Sequence, residues 1–294
     1  MKKDWKKLLL ILMAATLLIE TILLTDFYRK ERNRQEEQAE VDFEEEISVL
    51  FDEAIENRQI EVYYQPIISC ETEAVSGAEA LSRWKVNGEY LSPSVFVSVL
   101  ESTGQVTALD EYVFESVCTF QAERLKQGKD TFPISVNLSV LSSLKDGVAE
   151  QYAQICEDLG AKKELISVEI TETLDSEPAL IQETVKQFQS LGFQVEIDDF
   201  GAGYSNYSAL SAIGYDIGKL DKSLVDSLES ERGQMIVKDM IALFKKLGMK
   251  VVAEGVEEEG QVTFLKENGC DAIQGYYYSR PLDEVSFIDY LESR

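Results

Sequence analysis

The sequence predicts an α/β fold, a (β/α)8 TIM-type barrel preceded by an N-terminal transmembrane helix and a helical stalk. Two observations predict the barrel. Short β-type runs alternate with helix-length amphipathic segments, and eight such runs fit in the chain beyond residue 50. A third observation, an aliphatic run starting at Leu8, predicts the segment in front of it. An open doubly wound sheet is the alternative arrangement of the same elements.

Taken in order, Lys2, Lys3, Lys6 and Lys7 flank Trp5 and precede a mostly aliphatic run from Leu8 to Leu24, broken by Thr16, Glu20 and Thr21. As a helix rising about 1.5 Å per residue, it is just long enough to cross a bilayer core. Glu20 lies one turn from its end, where its carboxylate reaches toward the interface. A cleavable signal peptide shares the basic start and apolar centre, but no clean small-x-small cleavage site follows. The expectation is a single-pass anchor in residues 1–28. Charge leaves its orientation open, because Arg29, Lys30, Arg32 and Arg34 balance the four lysines.

Residues 29–49 read as a charged helical linker, with neither Gly nor Pro between 29 and 42. Phe43, Ile47, Leu50 and Ala54 share one helical face, suited to packing on the following domain or to pairing with a second copy. The domain itself is expected over 50–294. Its strands should lie near 60–66, 75–81, 133–138, 165–171, 193–198, 215–220, 250–255 and 272–277. Helices should include Val113–Lys126, Gly147–Leu159, Leu180–Leu191 and Met235–Leu247.

Composition narrows the chemistry. With 28 Lys and Arg against 54 Asp and Glu, the net charge of −26 leaves no basic stripe for DNA or RNA, so an anionic substrate must meet local cations. Histidine is absent, which excludes His-based triads and His-ligated zinc. Cys70, Cys118, Cys156 and Cys270 are far apart in sequence and match no metal-ligand spacing. They read as reduced core thiols of a cytosolic domain, a disulfide pair being the alternative.

What remains is oxygen ligands and lysine, and these stand at the strand ends. Each β-type run is mostly apolar until its last residues, where Gln65, Glu79, Asn137, Glu169, Asp198 with Asp199, Lys219, Glu254 or Gln274 stands. In a barrel these ends converge on one face, where active sites are built. Acids gathered there without compensation would destabilise the fold. The adjacent pair Asp198-Asp199 stays ionised only beside positive charge, which a divalent metal supplies. The loop after it, Phe200-Gly201-Ala202-Gly203-Tyr204, has two glycines that permit sharp turns.

An ordered set of motifs accompanies these positions: Tyr63-Tyr64-Gln65-Pro66-Ile67, Glu79-Ala80-Leu81-Ser82-Arg83-Trp84, Val136-Asn137-Leu138-Ser139 and Glu169-Ile170-Thr171-Glu172. Asp198-Asp199-Phe200-Gly201, Lys219-Leu220-Asp221, Ala253-Glu254-Gly255-Val256-Glu257 and Gln274-Gly275-Tyr276 follow. Over residues 50–292 the chain resembles the EAL-domain family of cyclic di-GMP phosphodiesterases. The resemblance implies a TIM-type barrel whose first strand is antiparallel, and hydrolysis of cyclic di-GMP to pGpG with two Mg2+ or Mn2+ ions per site. Glu79, Asn137, Glu169 and Asp198 would hold one metal, and Asp198 with Asp199 the second. Lys219 would orient water or stabilise phosphate charge, and Glu254 would be a general base or an outer anchor. Gln65, Arg83 and Gln274 would contact the nucleotide, and Glu172 would brace the loop after Asp199. A homodimer through the face near that loop is also implied.

The chain departs from the common family pattern at Ser82, Ala202 and Gly218. A glycine inside a strand is expected to loosen packing and let Lys219 wander. Two function classes follow: a membrane-anchored phosphodiesterase with its barrel in the cytoplasm, or a catalytically silent cyclic di-GMP receptor signalling through the stalk. The complete set of acids favours the enzyme.

Overall fold

The computed structural model describes residues 43–86, 88–171, 178–201, 210 and 212–293. The expected anchor, the stalk before residue 43, Glu172 and Ala202 lie outside the described residues. Residues 43–56 form helix α1. Among the described residues, no helix is long and apolar enough to cross a membrane.

Nine strands follow among the described residues: β1 (Ile60–Ser69), β2 (Val75–Val86), β3 (Glu89–Leu91), β4 (Ile134–Leu138), β5 (Ile166–Thr171), β6 (Gln194–Phe200), β7 (Ile217–Leu220), β8 (Lys250–Ala253) and β9 (Ala272–Gln274). Their order is β1-β9-β8-β7-β6-β5-β4-β2-β3, and β1 also pairs with β2. Eight strands therefore close a barrel, and β3 extends β2 as a hairpin. Closure sets aside the open sheet. β1 runs antiparallel to both β2 and β9, whereas the pairs from β2–β4 round to β8–β9 are parallel. This is the inverted first strand that the resemblance implies.

The helices are α2 (Pro93–Thr103), α3 (Val106–Lys126), α4 (Val140–Ser143), α5 (Val148–Leu159), α6 (Pro178–Leu191), α7 (Lys222–Asp226), α8 (Glu231–Lys246), α9 (Glu259–Glu267) and α10 (Glu284–Glu292). Helix α3 starts before the expected Val113, because Val106 and Leu109 continue its buried face. Side chains of Ser139, Asp221, Ser230 and Asp283 cap α4, α7, α8 and α10, each accepting a backbone N–H. Tyr64 of β1 stacks on Phe120 of α3 at 4.8 Å and on Phe287 of α10 at 5.2 Å, which seals the wall around the inverted strand.

Alternation along the strands lines the interior with two rings. The upper ring holds Gln65, Glu79, Asn137, Glu169, Asp198, Lys219, Glu254 and Gln274, with Asp199 turned outward. One pleat below it lie Ile67, Gly77, Ser135, Ser167, Glu196, Ile217, Val252 and Ala272, which surround a cavity of about 320 Å3.

Gly218 corrects the expectation of a loose strand. A Cβ built there would stand 2.6 Å from Cε2 of the buried Phe244, so the ring of α8 already fills the space a side chain would take. Lys219 beside it is only 1% exposed. All four cysteines are free thiols. Cys118, Cys156 and Cys270 are buried as expected and Cys70 is half-buried, while Sγ of Cys118 lies 3.7 Å from Sγ of Cys156.

Candidate active site

Strand β6 delivers the adjacent acids through a break in its ladder. Its register with β7 shifts between Ile197 and Phe200, and Asp199 takes φ 53°. Asp is among the few residues that enter this left-handed region at modest cost. The two carboxylates consequently diverge: Asp198 is buried in the barrel and Asp199 is exposed at its mouth. Gly201 follows at φ 106°, and a Cβ there would lie 2.4 Å from Cδ1 of Leu224, so glycine is required on both counts.

Lys219 of β7 stands at the centre. Its Nζ lies 2.5 Å from Oε1 of Glu254, 3.2 Å from Oδ1 of Asp198 and 3.7 Å from Oε2 of Glu79, and it also pairs with Oε1 of Glu169. The four acids come from four strands or their ends. Glu79 further accepts hydrogen bonds from Nε2 of Gln274 and, at 3.4 Å, from Nδ2 of Asn137. Nε2 of Gln274 also reaches Oε1 of Gln65 at 3.1 Å, and Gln65 donates to the Ser279 carbonyl at 3.2 Å. Every expected site residue among those described except Arg83 and Asp199 thus belongs to one network around Lys219 and Glu79.

Arg83 stands to one side, donating to the Ser82 carbonyl at 2.8 Å with its guanidinium 5.6 Å from the centre of the Tyr63 ring. It lines a cavity of about 440 Å3 that shares Glu79 and Asn137 with the acid ring. A cavity of about 380 Å3 lies over Asp198, Asp199, Lys219 and Glu254. The two adjoin at Glu79, so a ligand lying across both would meet Arg83 and the acids together.

One ammonium faces four carboxylates, and the electrostatics show the deficit. Burial, then Glu254 and Glu79, push the Asp198 carboxyl well above the ordinary range. Asp199 is raised by partial burial and by Asp221. Burial raises Glu254 to about 7 against the opposing pull of Lys219. Burial also opposes the charge of Lys219, but Glu254 and Glu79 outweigh it and raise its value.

Oxygens of Glu169, Asp198 and Glu254 approach within 4.8 Å of one another. Among the described residues both carboxylate oxygens of Glu169 lack a hydrogen bond, one of them having only the Lys219 ion pair. Buried, hard and under-neutralised oxygen donors fit a divalent cation of the Mg2+ or Mn2+ class. Glu254 is thus near enough to Glu169 and Asp198 for all three to face one cation.

Two residues escaped the sequence reading. Asp110 of α3 is buried and accepts the Ser139 backbone N–H at 2.9 Å, which fixes the turn that follows Asn137. Glu196, bonded to Ser135 at 2.8 Å, lies two residues before Asp198 on the same face of β6, so strand alternation was the signal that could have found it.

The EAL domain family model matches residues 50–281. The chain is 33% identical over 241 residues to the probable cyclic di-GMP phosphodiesterase PdeB of Escherichia coli K12, covering 82% of this chain and 46% of that protein. It is 32% identical over 259 residues to the cyclic di-GMP phosphodiesterase NbdA of Pseudomonas aeruginosa PAO1, covering 86% and 32%. The chain thus spans half or less of the length of these relatives. The solved PaMucR phosphodiesterase in its c-di-GMP complex superposes with a TM-score of 0.77 at 28% identity, covering 82% of this chain and 99% of that one. On its motifs, its inverted-strand barrel and this match, the chain belongs to the EAL domain family.

Proposed function

We propose that the barrel is a cyclic di-GMP phosphodiesterase that opens one phosphodiester bond to give pGpG, with two Mg2+ or Mn2+ ions per site. The observation that carries this reading is the ring of four carboxylates around Lys219, two of which, Glu169 and Asp198, have buried oxygens without a hydrogen bond among the described residues. PdeB and NbdA, named as phosphodiesterases, support the substrate class.

Glu79, Asn137, Glu169 and Asp198 would hold one ion and Asp198 with Asp199 the other, with Glu254 close enough to join them. Bound divalent ions would supply Lewis acidity to the phosphate and lower the pKa of water. Glu254, whose carboxylate stands 2.5 Å from Nζ of Lys219 and beside Asp198, would take the proton of the attacking water or anchor the groups around the ions. Lys219 would keep its proton throughout and place its charge beside the phosphate. Arg83 would fork onto a phosphate, and Gln65 with Gln274 would orient the nucleotide. Glu172 would brace the loop after Asp199. A receptor would have no use for a complete acid ring, so the catalytic reading is preferred.

The aliphatic run Leu8–Leu24 supports anchoring in the bilayer, and a cytosolic substrate supports a cytoplasmic barrel. A homodimer is part of the same reading. Chromatography of cyclic di-GMP incubated with the purified chain and Mg2+ or Mn2+ tests the activity: pGpG is expected, and unchanged substrate contradicts it. Protease treatment of intact cells tests the topology, since cleavage of the barrel from outside would contradict it.

A further inference from the structure

A second cavity, of about 320 Å3, lies in the barrel below the acid ring, and the proposed hydrolysis does not use it. It reaches the starts of the parallel strands, where Gln194, Lys250 and Asp271 stand at its edge. Barrel layers are normally filled by bulky branched side chains. Ile67, Ile217, Val252 and Ala272 do this on one side. On the other, the neighbouring strands β2, β4 and β5 carry Gly77, Ser135 and Ser167, and β6 carries Glu196. Three small residues leave the space open, and a carboxylate faces it.

That carboxylate is half satisfied. Glu196 is 2% exposed, and Oγ of Ser135 donates to its Oε1 at 2.8 Å. Oγ of Ser167 stands beside this carboxylate, but neither it nor Oε2 of Glu196 makes a full hydrogen bond among the described residues. A buried carboxylate oxygen without a donor is costly, and a partner that supplies one recovers that cost. The space exceeds the roughly 30 Å3 of a single water and reaches the lower bound of ordinary ligand pockets, about 300 Å3. A bare divalent ion would seek six or more oxygens, whereas half of this wall is aliphatic. The chain's charge of −26 favours a cation over an anion.

We propose that this cavity is a binding site for a small organic cation, a primary alkylammonium whose head rests on Oε2 of Glu196 and Oγ of Ser167 and whose stem lies along Ile67, Ile217 and Val252.

Calorimetry on the full chain, kept saturated with Mg2+ so that the upper ring is occupied, tests this with n-butylammonium as probe and 1-butanol as its neutral counterpart. The expected result is saturable butylammonium binding with Kd on the order of 1 mM and butanol at least about tenfold weaker. Glu196→Gln should weaken butylammonium about tenfold or more. Ser167→Leu fills the space beside Glu196 from the neighbouring strand β5 and should abolish binding, so the proposal stays testable if the Glu196 variant misfolds. A crystal soaked with butylammonium should place the ammonium at Glu196. Absent saturation, equal affinity for butanol, binding untouched by both variants, or electron density for water alone at Glu196 would each overturn the proposal.

Discussion

The residue that most defines the site is Lys219, a fully buried ammonium whose charge is held by acids from β2, β5, β6 and the end of β8. Replacing it by Met removes the cation from that ring, and loss of one partner of a buried pair costs about 3–5 kcal/mol. Lys219→Met is therefore expected to lower the denaturation midpoint steeply in chelator and to regain part of the loss in Mg2+; equal loss in both conditions would separate the lysine from the cation site. The acids set a pH dependence of definite sign. Burial raises Glu196 and Glu254 to about 7 from the ordinary 4.5, so the folded chain holds protons that the unfolded chain has released between those values. The associated stability is fully present below pH 4.5 and is lost as pH rises through about 7. Metal-free protein should consequently melt at a lower temperature at pH 8 than near pH 6, and Mg2+ should shrink the difference. Gly218→Ala brings a Cβ to 2.6 Å from Phe244 and is expected to cost about 1–3 kcal/mol in chemical denaturation. An unchanged midpoint would mean that the ring yields freely.

At the scale of the element, strand β6 carries the argument, because its ladder break sends Asp198 inward and Asp199 outward. Gly201 sustains that exit with a left-handed φ and contact with Leu224. Gly201→Ala is expected to lower the melting temperature and reduce turnover together, since the strain of about 1–3 kcal/mol falls on the backbone holding both acids. The eight barrel strands were legible because each run is mostly apolar and ends on a polar side chain, and the alternation between strands and helices named the barrel. Strand β3 was not, since three residues hydrogen-bonded only to β2 leave no periodicity to read. Strand β9 ends at Gln274 rather than 277. A Cβ at Gly275 would meet the Val256 carbonyl oxygen at 2.1 Å, and the chain there turns across the end of β8, a contact between distant segments that local pattern does not encode. The pairing of Lys219 with Glu254 and the packing of Phe244 on Gly218 were hidden for the same reason.

At the scale of the whole molecule, closure of eight strands gathers residues from Gln65 to Gln274 at one mouth and stacks a half-polar ring beneath it. The strand-end residues could be listed from the sequence because a barrel brings its strand ends together whatever their spacing. The lower ring was overlooked because Ser135, Ser167 and Glu196 lie inside runs whose apolar neighbours dominated the reading. The central claim is that the acids around Lys219 form a divalent-metal phosphodiesterase centre. The most direct measurement is cyclic di-GMP turnover by the full chain across a titration of Mg2+ or Mn2+, beside Glu169→Gln, whose unsatisfied carboxylate would be replaced by a neutral amide. The account predicts pGpG formation that rises with metal in the parent, vanishes in chelator, and falls by at least about 100-fold in the variant. Turnover that persists in chelator, or tight binding of the dinucleotide without any cleavage in the metal-loaded parent, would contradict it.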